Sequence, residues 1–413
     1  MRYSREQGCL AWLSHGLISG KHLASLLAQY GSAEAVYDAF VQDHGASIRE
    51  MMSPYSLSLL REHSSREQMH DMLVTMQKWD IGVISMKDAE YPETLRNIAI
   101  PPQVLFYQGN LAAMQGKCIT VVGSRNATNA GISATHSVCH ELSNAGVCIV
   151  SGLAVGIDTA AHKGCLDGAS PTIGVASCGL NVPYPSDSVP LKERILSQNG
   201  LLLSEYPPDM RSSKYVFSAR NRILAGLSSG VVLMEAMIRS GSMLTVQHAL
   251  EQGKDVFAYP GIPGTTHSEG THQLLREGAV FFTSARDILE DMGWADDLPE
   301  KTQRAERKHV VPKSEPPPKT PAKKRRKPEA SEPAKTALEP VEEQAKPTMP
   351  LPPMNDEQKA VYEALSGGEM SFDQLAAQTK LNAPQLMSSL TMLQILGVIK
   401  ALPGKSYCLV ETN

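Results

Sequence analysis

The stretch Lys214-Tyr215-Val216-Phe217-Ser218-Ala219-Arg220-Asn221-Arg222 interleaves cations with aromatic rings over a few residues. Lys214, Arg220 and Arg222 can neutralise phosphates, and Phe217 or Tyr215 offers a flat face on which a base can stack. That mixture suits a single nucleic-acid strand. If Ser218 opens a helix, Phe217 sits at its mouth with Lys214 a short reach away. The opposing reading makes Phe217 a core residue and pairs the arginines with carboxylates such as Glu205 and Glu235. Spacing alone leaves both open.

A second group lies earlier, where a short apolar run meets Gly123-Ser124-Arg125 and another meets Ser151-Gly152. Small residues at such turns let a backbone ligand approach, and helix N-termini beyond them point free N–H groups outward, so a bound group here should carry phosphate. Gly241-Ser242 and Gly261 to Gly264 add two more small-residue turns, although sharp strand-to-helix turns need glycine in any case. Enzymatic constellations are thin. There is no P-loop, no strand-anchored G-x-G-x-x-G, no H-E-x-x-H and no G-x-S-x-G. Asp158 and His162, four apart, can share a helix face as an acid/base pair, or Asp158 can cap the helix while His162 packs. Glu235 is the best lone carboxylate. No metal site and no cofactor is expected, and the seven cysteines, none in C-x-x-C spacing, read as buried free thiols of a reducing compartment.

The elements that must position these residues alternate. Strand-like runs at Cys118 to Val122, Val147 to Val150, Thr172 to Ala176, Leu201 to Ser204, Val231 to Met234, Val256 to Tyr259 and Val280 to Phe282 are separated by helical stretches. Successive strand-turn-helix units predict a doubly wound parallel α/β sheet, with ligands beyond the carboxyl ends of its strands. Ahead of it, the Ile81 to Met86 run and Val104 to Tyr107, expected as an edge strand, form the approach.

The chain has 413 residues, enough for about two to four domains. A net charge of −4 gives no global nucleic-acid signal, so any such site must be local. No window approaches a membrane-spanning length, and a cytoplasmic protein is expected. The expected layout is a small helical domain over 1–80, of SAM or helix-hairpin-helix type, the α/β domain over 81–293, a linker over 294–354 and a final domain over 355–413. Pro299 to Met354 is too poor in apolar residues to offset its chain entropy and reads as a disordered tether. Its Lys323, Lys324, Arg325, Arg326 and Lys327 could hold DNA non-specifically or only be solvated. Glu357 to Leu365, Ser371 to Thr379 and Ala383 to Leu396, followed by a two-strand ribbon, describe a winged helix. The third of these helices has no Lys or Arg, so strong duplex affinity is not expected and a protein contact is at least as good a reading.

VVGSR, SGLAVGIDTAAH, Tyr184-Pro185, LLSE, RNRILAGLS, SGSMLT and YPG followed by SEG occur in one order between Ala89 and Asp291. Each piece is weak, but the ordered set resembles the DNA-processing protein A family (DprA, also called Smf), which often carries a winged tail as well. The resemblance implies an extended Rossmann-like fold that binds single-stranded DNA without sequence preference. It also implies loading of RecA recombinase onto incoming DNA in natural transformation, displacement of single-strand-binding protein, and a homodimer, with no enzymatic activity. Carried over residue by residue, Arg125 and Lys214 would hold phosphate and Phe217 a base. Gly123, Ser124, Ser151 and Gly152 would line the pocket with backbone amides, beside Arg220, Asn221 and Arg222 of the R-N-R motif and Gly241 and Ser242 of SGSMLT. Two positions depart from the family: Ser218 stands where proline is usual, altering the expected Phe217 geometry, and Val246 stands where alanine is usual. A competing class is a nucleoside-monophosphate phosphoribohydrolase on a similar sheet, with Glu235 or Asp158 acting on a glycosidic bond. A third is a scaffold whose helical and winged modules do the binding.

Overall fold

The computed structural model describes residues 2–295, 356–366, 368–379, 381, 386, 389–390, 393, 398–402 and 406–409. Two compact units divide the chain, one within Met1–Ser314 and one within Glu315–Asn413. The tether expected over Pro299 to Met354, with its Lys323 to Lys327 cluster, lies outside the described residues, as does most of the helix expected over Ala383 to Leu396. Among the described residues no helix is long and apolar enough to cross a membrane, and no group of three or more His, Cys, Asp or Glu is placed to hold a metal ion.

The first unit begins with α1 (Arg5–His15), α2 (Gly20–Tyr30), α3 (Ala33–Asp43), α4 (Pro54–Glu62) and α5 (Arg66–Lys78). Each starts behind a serine whose hydroxyl accepts the backbone N–H three residues on: Ser4, Ser19, Ser32, Ser53 and Ser65. Such caps are each worth about 1 kcal/mol and explain why these short segments stop and restart where they do. Trp12 is their centre, with Tyr37 and Phe40 edge-on at 5.0 and 4.9 Å. The buried residues around it form one continuous core with Ile81, Val83, Val104 and Phe106 and, further on, Leu153, Leu166 and Leu202 of the sheet region.

The sheet has nine strands: β1 (Gly82–Ser85), β2 (Val104–Gly109), β3 (Cys118–Val122), β4 (Cys148–Ser151), β5 (Thr172–Val175), β6 (Leu201–Ser204), β7 (Gly230–Leu233), β8 (Asp255–Ala258) and β9 (Val280–Phe281). Their order is β1-β2-β6-β5-β4-β3-β7-β8-β9. From β6 to β9 every pairing is parallel, while β2 lies antiparallel to both β1 and β6. Helices α7 (Asn129–Asn144), α8 (Ile157–Leu166), α9 (Val189–Ser197), α10 (Lys214–Gly226), α11 (Gly241–Glu251), α12 (Glu269–Arg276) and α13 (Ala285–Asp291) complete the doubly wound α/β layer, after a single turn, α6 (Glu93–Arg96). The strands β3 to β7 are buried throughout, as expected for a parallel sheet covered on both faces. One expectation is corrected: Val104 to Tyr107 is not an edge. The fully buried β1 pairs outside it, because the core of α1 to α5 covers that strand.

The chain runs from β3 to β4, β5 and β6 in one direction, then returns to place β7, β8 and β9 on the other side of β3. This reversal between β3 and β7 is the switch point, where strand ends diverge and leave a crevice. Cys9, Cys118, Cys139, Cys148, Cys165 and Cys178 are buried free thiols, and Cys408 is a half-buried one.

In the second unit, α14 (Asp356–Leu365) and α15 (Phe372–Thr379) pack with β10 (Met370–Ser371), β11 (Ile399–Leu402) and β12 (Ser406–Leu409), paired in the order β10-β12-β11. Val361, Leu365, Leu375, Leu386, Leu390 and Leu393 build its core. Ser371 and Gln374 cap α15 reciprocally, the Gln374 N–H reaching the Ser371 hydroxyl at 3.4 Å and the Ser371 N–H the Gln374 side chain at 2.8 Å.

Candidate functional site

At the end of β3 the chain has to turn within a narrow gap. A Cβ at Gly123 would stand 2.7 Å from the Ile157 side chain and 2.9 Å from the Glu235 carbonyl, so only glycine fits. The Ser124 N–H donates to that same carbonyl at 2.7 Å, and the Ser124 carbonyl accepts the Ile157 N–H at 3.2 Å. Ser124 is buried, and its hydroxyl accepts the Asn126 N–H at 3.1 Å. With its neighbours pinned in this way, Arg125 projects as an exposed residue of the turn, next to the exposed Asn126.

Arg125 meets α10. Its guanidinium carbon lies 4.5 Å from the centroid of the half-buried Phe217 ring, a cation–π distance. Arg220 stands 5.7 Å from the same centroid, and Tyr184 packs edge-on against the ring at 5.9 Å. Helix α10 starts at Lys214, with the Ser213 hydroxyl accepting the Val216 N–H. Phe217 is therefore inside the first turns and not at the mouth of a helix opened by Ser218. Serine at 218 keeps the backbone N–H that proline would lack, so the helix extends toward its N-terminus through that position.

Val216, Arg220, Ile223 and Leu224 form the buried stripe of α10, continued by Leu227 at its C-cap. Arg220 occupies a stripe position, 3% exposed, and its Nη1 donates to the Gly152 carbonyl at 2.8 Å and to the Val175 carbonyl. Burial pushes its pKa down to about 10, against the opposing pull of Asp158 and with repulsion from Arg125. Gly152 has no room for a side chain: a Cβ would come within 2.6 Å of both the Arg220 Nη2 and the Asp158 Oδ2. Asp158, in the first turn of α8, accepts the Ala154 N–H at 3.4 Å; burial raises its pKa to about 6 in spite of Arg220. His162, four residues on, is fully buried and shares its Nδ1 with the Thr172 hydroxyl at 2.8 Å. Burial lowers its pKa to about 3. Ser151 is also buried, donating its hydroxyl to the Val121 carbonyl at 2.7 Å.

The rest of the R-N-R motif fastens α10 to its surroundings. Arg222 holds Glu205 through two parallel bonds of 2.8 and 2.6 Å and donates from Nε to the Ile100 carbonyl at 2.9 Å. Asn221 donates to the Gly241 carbonyl at 3.2 Å, tying α10 to the start of α11. Gly241 is exposed and Ser242 half-buried there, and the N-cap Ser240 shares a hydroxyl–hydroxyl hydrogen bond with Ser242 at 2.6 Å instead of capping the helix. Among the described residues Glu235 pairs with no arginine: its carboxylate is taken by Thr128.

Arg125, Phe217, Arg220, Gly152 and Ser151 thus converge at the carboxyl edge, beside the switch point. Arg222 faces Glu205 instead, and Gly241 and Ser242 lie at the next helix N-terminus. Sequence motifs bring Tyr184 in only as half of a Tyr-Pro pair, and nothing local marks it as a neighbour of Phe217. The burial of Arg220 has a sequence signal, because Val216, Ile223 and Leu227 place position 220 on the apolar stripe. Chemically, the site offers two guanidinium groups, one exposed and one buried, around an aromatic ring, with a single buried carboxylate opposing them.

A family model described as DNA recombination-mediator protein A matches residues 82–293, and a model described as the DprA winged helix domain matches 345–405. The DNA processing protein DprA of Streptococcus pneumoniae is 44% identical over 207 residues, covering 50% of this chain and 73% of that protein. Protein Smf of Escherichia coli is 36% identical over 281 residues, 67% of this chain and 73% of its own length. The crystal structure of the Streptococcus pneumoniae DprA superposes with a TM-score of 0.60 at 34% identity, covering 70% of this chain and 99% of that one. On the strength of these matches the chain belongs to the DNA recombination-mediator protein A family.

Proposed function

We propose that the crevice between Arg125 and α10 binds single-stranded DNA without sequence preference. The observation that carries this reading is the Arg125–Phe217 pair: an exposed guanidinium held against a half-buried ring by a turn that has little freedom. Arg125, with Lys214 at the start of α10, supplies charge to phosphates, and Phe217 supplies the stacking face. Gly123, Ser124, Ser151 and Gly152 keep the crevice floor free of bulk, and Gly241 and Ser242 offer helix N–H groups to a neighbouring phosphate. Arg220, Asn221 and Arg222 support the site by fixing α10 to the sheet and to α11.

Family membership extends this reading to mediation of recombination. In it the protein works in the cytoplasm as a homodimer, delivers a RecA-type recombinase to a single strand covered by single-strand-binding protein, and serves natural transformation. We read it as a binding protein and not a hydrolase. Glu235 spends both carboxylate oxygens on Thr128, and Asp158 is buried against Arg220, so neither is free to work on a glycosidic bond.

Fluorescence anisotropy of labelled single-stranded and duplex oligonucleotides against the whole chain tests the binding step. Preference for the single strand, weakened by Arg125→Ala and by Lys214→Ala, is the expected result; equal affinity for duplex, or indifference to both substitutions, refutes it. Recombinase nucleation on a coated strand, with and without the protein, tests the mediator step.

A further inference from the structure

Glu235 lies two residues past the end of the switch-point strand β7 and holds both ends of the loop that carries Arg125. Its backbone carbonyl accepts the Ser124 N–H at 2.7 Å. Its carboxylate accepts the Thr128 N–H at 2.9 Å and the Thr128 hydroxyl at 2.6 Å. Thr128 is the N-cap of α7, and its hydroxyl oxygen accepts the Gly131 N–H at 3.0 Å. Protons therefore point in series from Gly131 to Thr128 to Glu235. The carboxylate stands at the positive end of a sixteen-residue helix, the position that an anion favours. Space has been left for it, because a Cβ on Gly131 would lie 2.3 to 2.7 Å from the three carboxylate atoms of Glu235. In capping boxes a Glu or Gln within the same helix reaches back to the N-cap N–H; here the group comes from the turn after β7, 107 residues away.

We propose that Glu235 is a tethered anion filling the phosphate position of the first crossover helix, and that it acts on DNA through Arg125, as its positioning residue. The inference rests on the single-strand reading given above. With α7 already neutralised from within, the strand's phosphates are left to Arg125 and to the turns that follow β4 and β7. The loop from Ser124 to Thr128 is clamped at both ends by one residue, so Arg125 is presented to Phe217 at a fixed height.

The test uses the whole chain with Glu235→Ala, Glu235→Gln and the unaltered protein, each titrated into a labelled single strand in chloride and in acetate at equal ionic strength. Glu235→Ala should lose about tenfold in affinity, as for a lost charged hydrogen-bonding partner. Acetate, filling the vacated position, should restore about threefold or more of this, and have no such effect on the unaltered protein. Glu235→Gln keeps the shape without the charge; it should fold, bind more weakly than the unaltered protein and gain nothing from acetate. If both variants bind as the unaltered protein does, or if Glu235→Ala weakens without an acetate-specific recovery, the proposal falls while the single-strand reading stands. If the unaltered protein ignores the single strand, both fall together.

Discussion

The Arg125 guanidinium stands 4.5 Å over the Phe217 ring, so the turn after β3 and the start of α10 meet through one cation and one aromatic face. The pair should behave as a unit on the DNA. Phe217→Ala should cost about 1–3 kcal/mol of single-strand affinity, the range for one stacked base. Arg125→Ala should reduce the slope of log K against log salt by about 0.7 for each phosphate it contacts. A double-mutant cycle should show the two losses to be non-additive by about 0.5 kcal/mol or more; strict additivity would separate the ring from the cation.

Arg220 should behave in the opposite way to Arg125. Buried among the Gly152 and Val175 carbonyls and close to Asp158, it supports the fold. Arg220→Ala should cost about 3 kcal/mol or more in urea unfolding, because it leaves buried acceptors without a donor. Arg125→Ala, at the surface, should stay within about 0.5 kcal/mol of the unaltered protein.

Asp158 gives a signature in pH. Its folded-state pKa, about 6, lies above the ordinary carboxyl value because the ionised form is desolvated. The folded state therefore holds this proton more tightly than the unfolded state does, and the group opposes folding increasingly as pH rises from about 4 to 6. Relative to Asp158→Asn, the unaltered protein should lose up to about 3 kcal/mol across that window and show a flat difference on either side. His162, with its pKa near 3, works the other way, costing stability as pH falls below its ordinary range, but it is present in both proteins. A difference curve without a step between pH 4 and 6 would disprove the burial of an ionised Asp158.

Gly156 is the most restrictive position near the site. Its φ of 82° and ψ of −126° form a combination that side chains avoid, and a Cβ would stand 2.4 Å from the Ser124 carbonyl. Gly156→Ala should destabilise by about 1–3 kcal/mol, and should weaken single-strand binding beyond what Ser124→Ala does. Thermal unfolding and anisotropy on the same two variants measure both effects.

Much of the α/β layer was legible because its strands are short apolar runs ending in small residues, and a buried parallel strand can hardly be written otherwise. Gly123-Ser124-Arg125 marked the crevice for the same reason. The edge was harder to see. Gly82-Val83-Ile84-Ser85 and Val104 to Gly109 have similar composition, and which one lies outside depends on packing by α1 to α5, a contact with no local signature. Phe217 and Arg125 were individually visible, yet their meeting is a tertiary fact across 92 positions. Thr128 carries no motif, and its bond to Glu235 spans 107 positions, a pairing that only the winding of the sheet creates.

The core shared by α1 to α5 and the sheet also has a consequence for how the protein can be divided. Trp12, Leu13 and Met76 belong to the same buried cluster as Phe106, Leu153, Cys178 and Leu202. A fragment starting after residue 80 would present to water a face that the intact molecule keeps dry, and would be prone to self-association. The opening helices are better regarded as a lid grown onto the sheet than as a detachable head, and a fragment that keeps this face covered begins before α1. In the intact protein the indole of Trp12 should then report unfolding of the sheet as well as of its own helices, in a single transition.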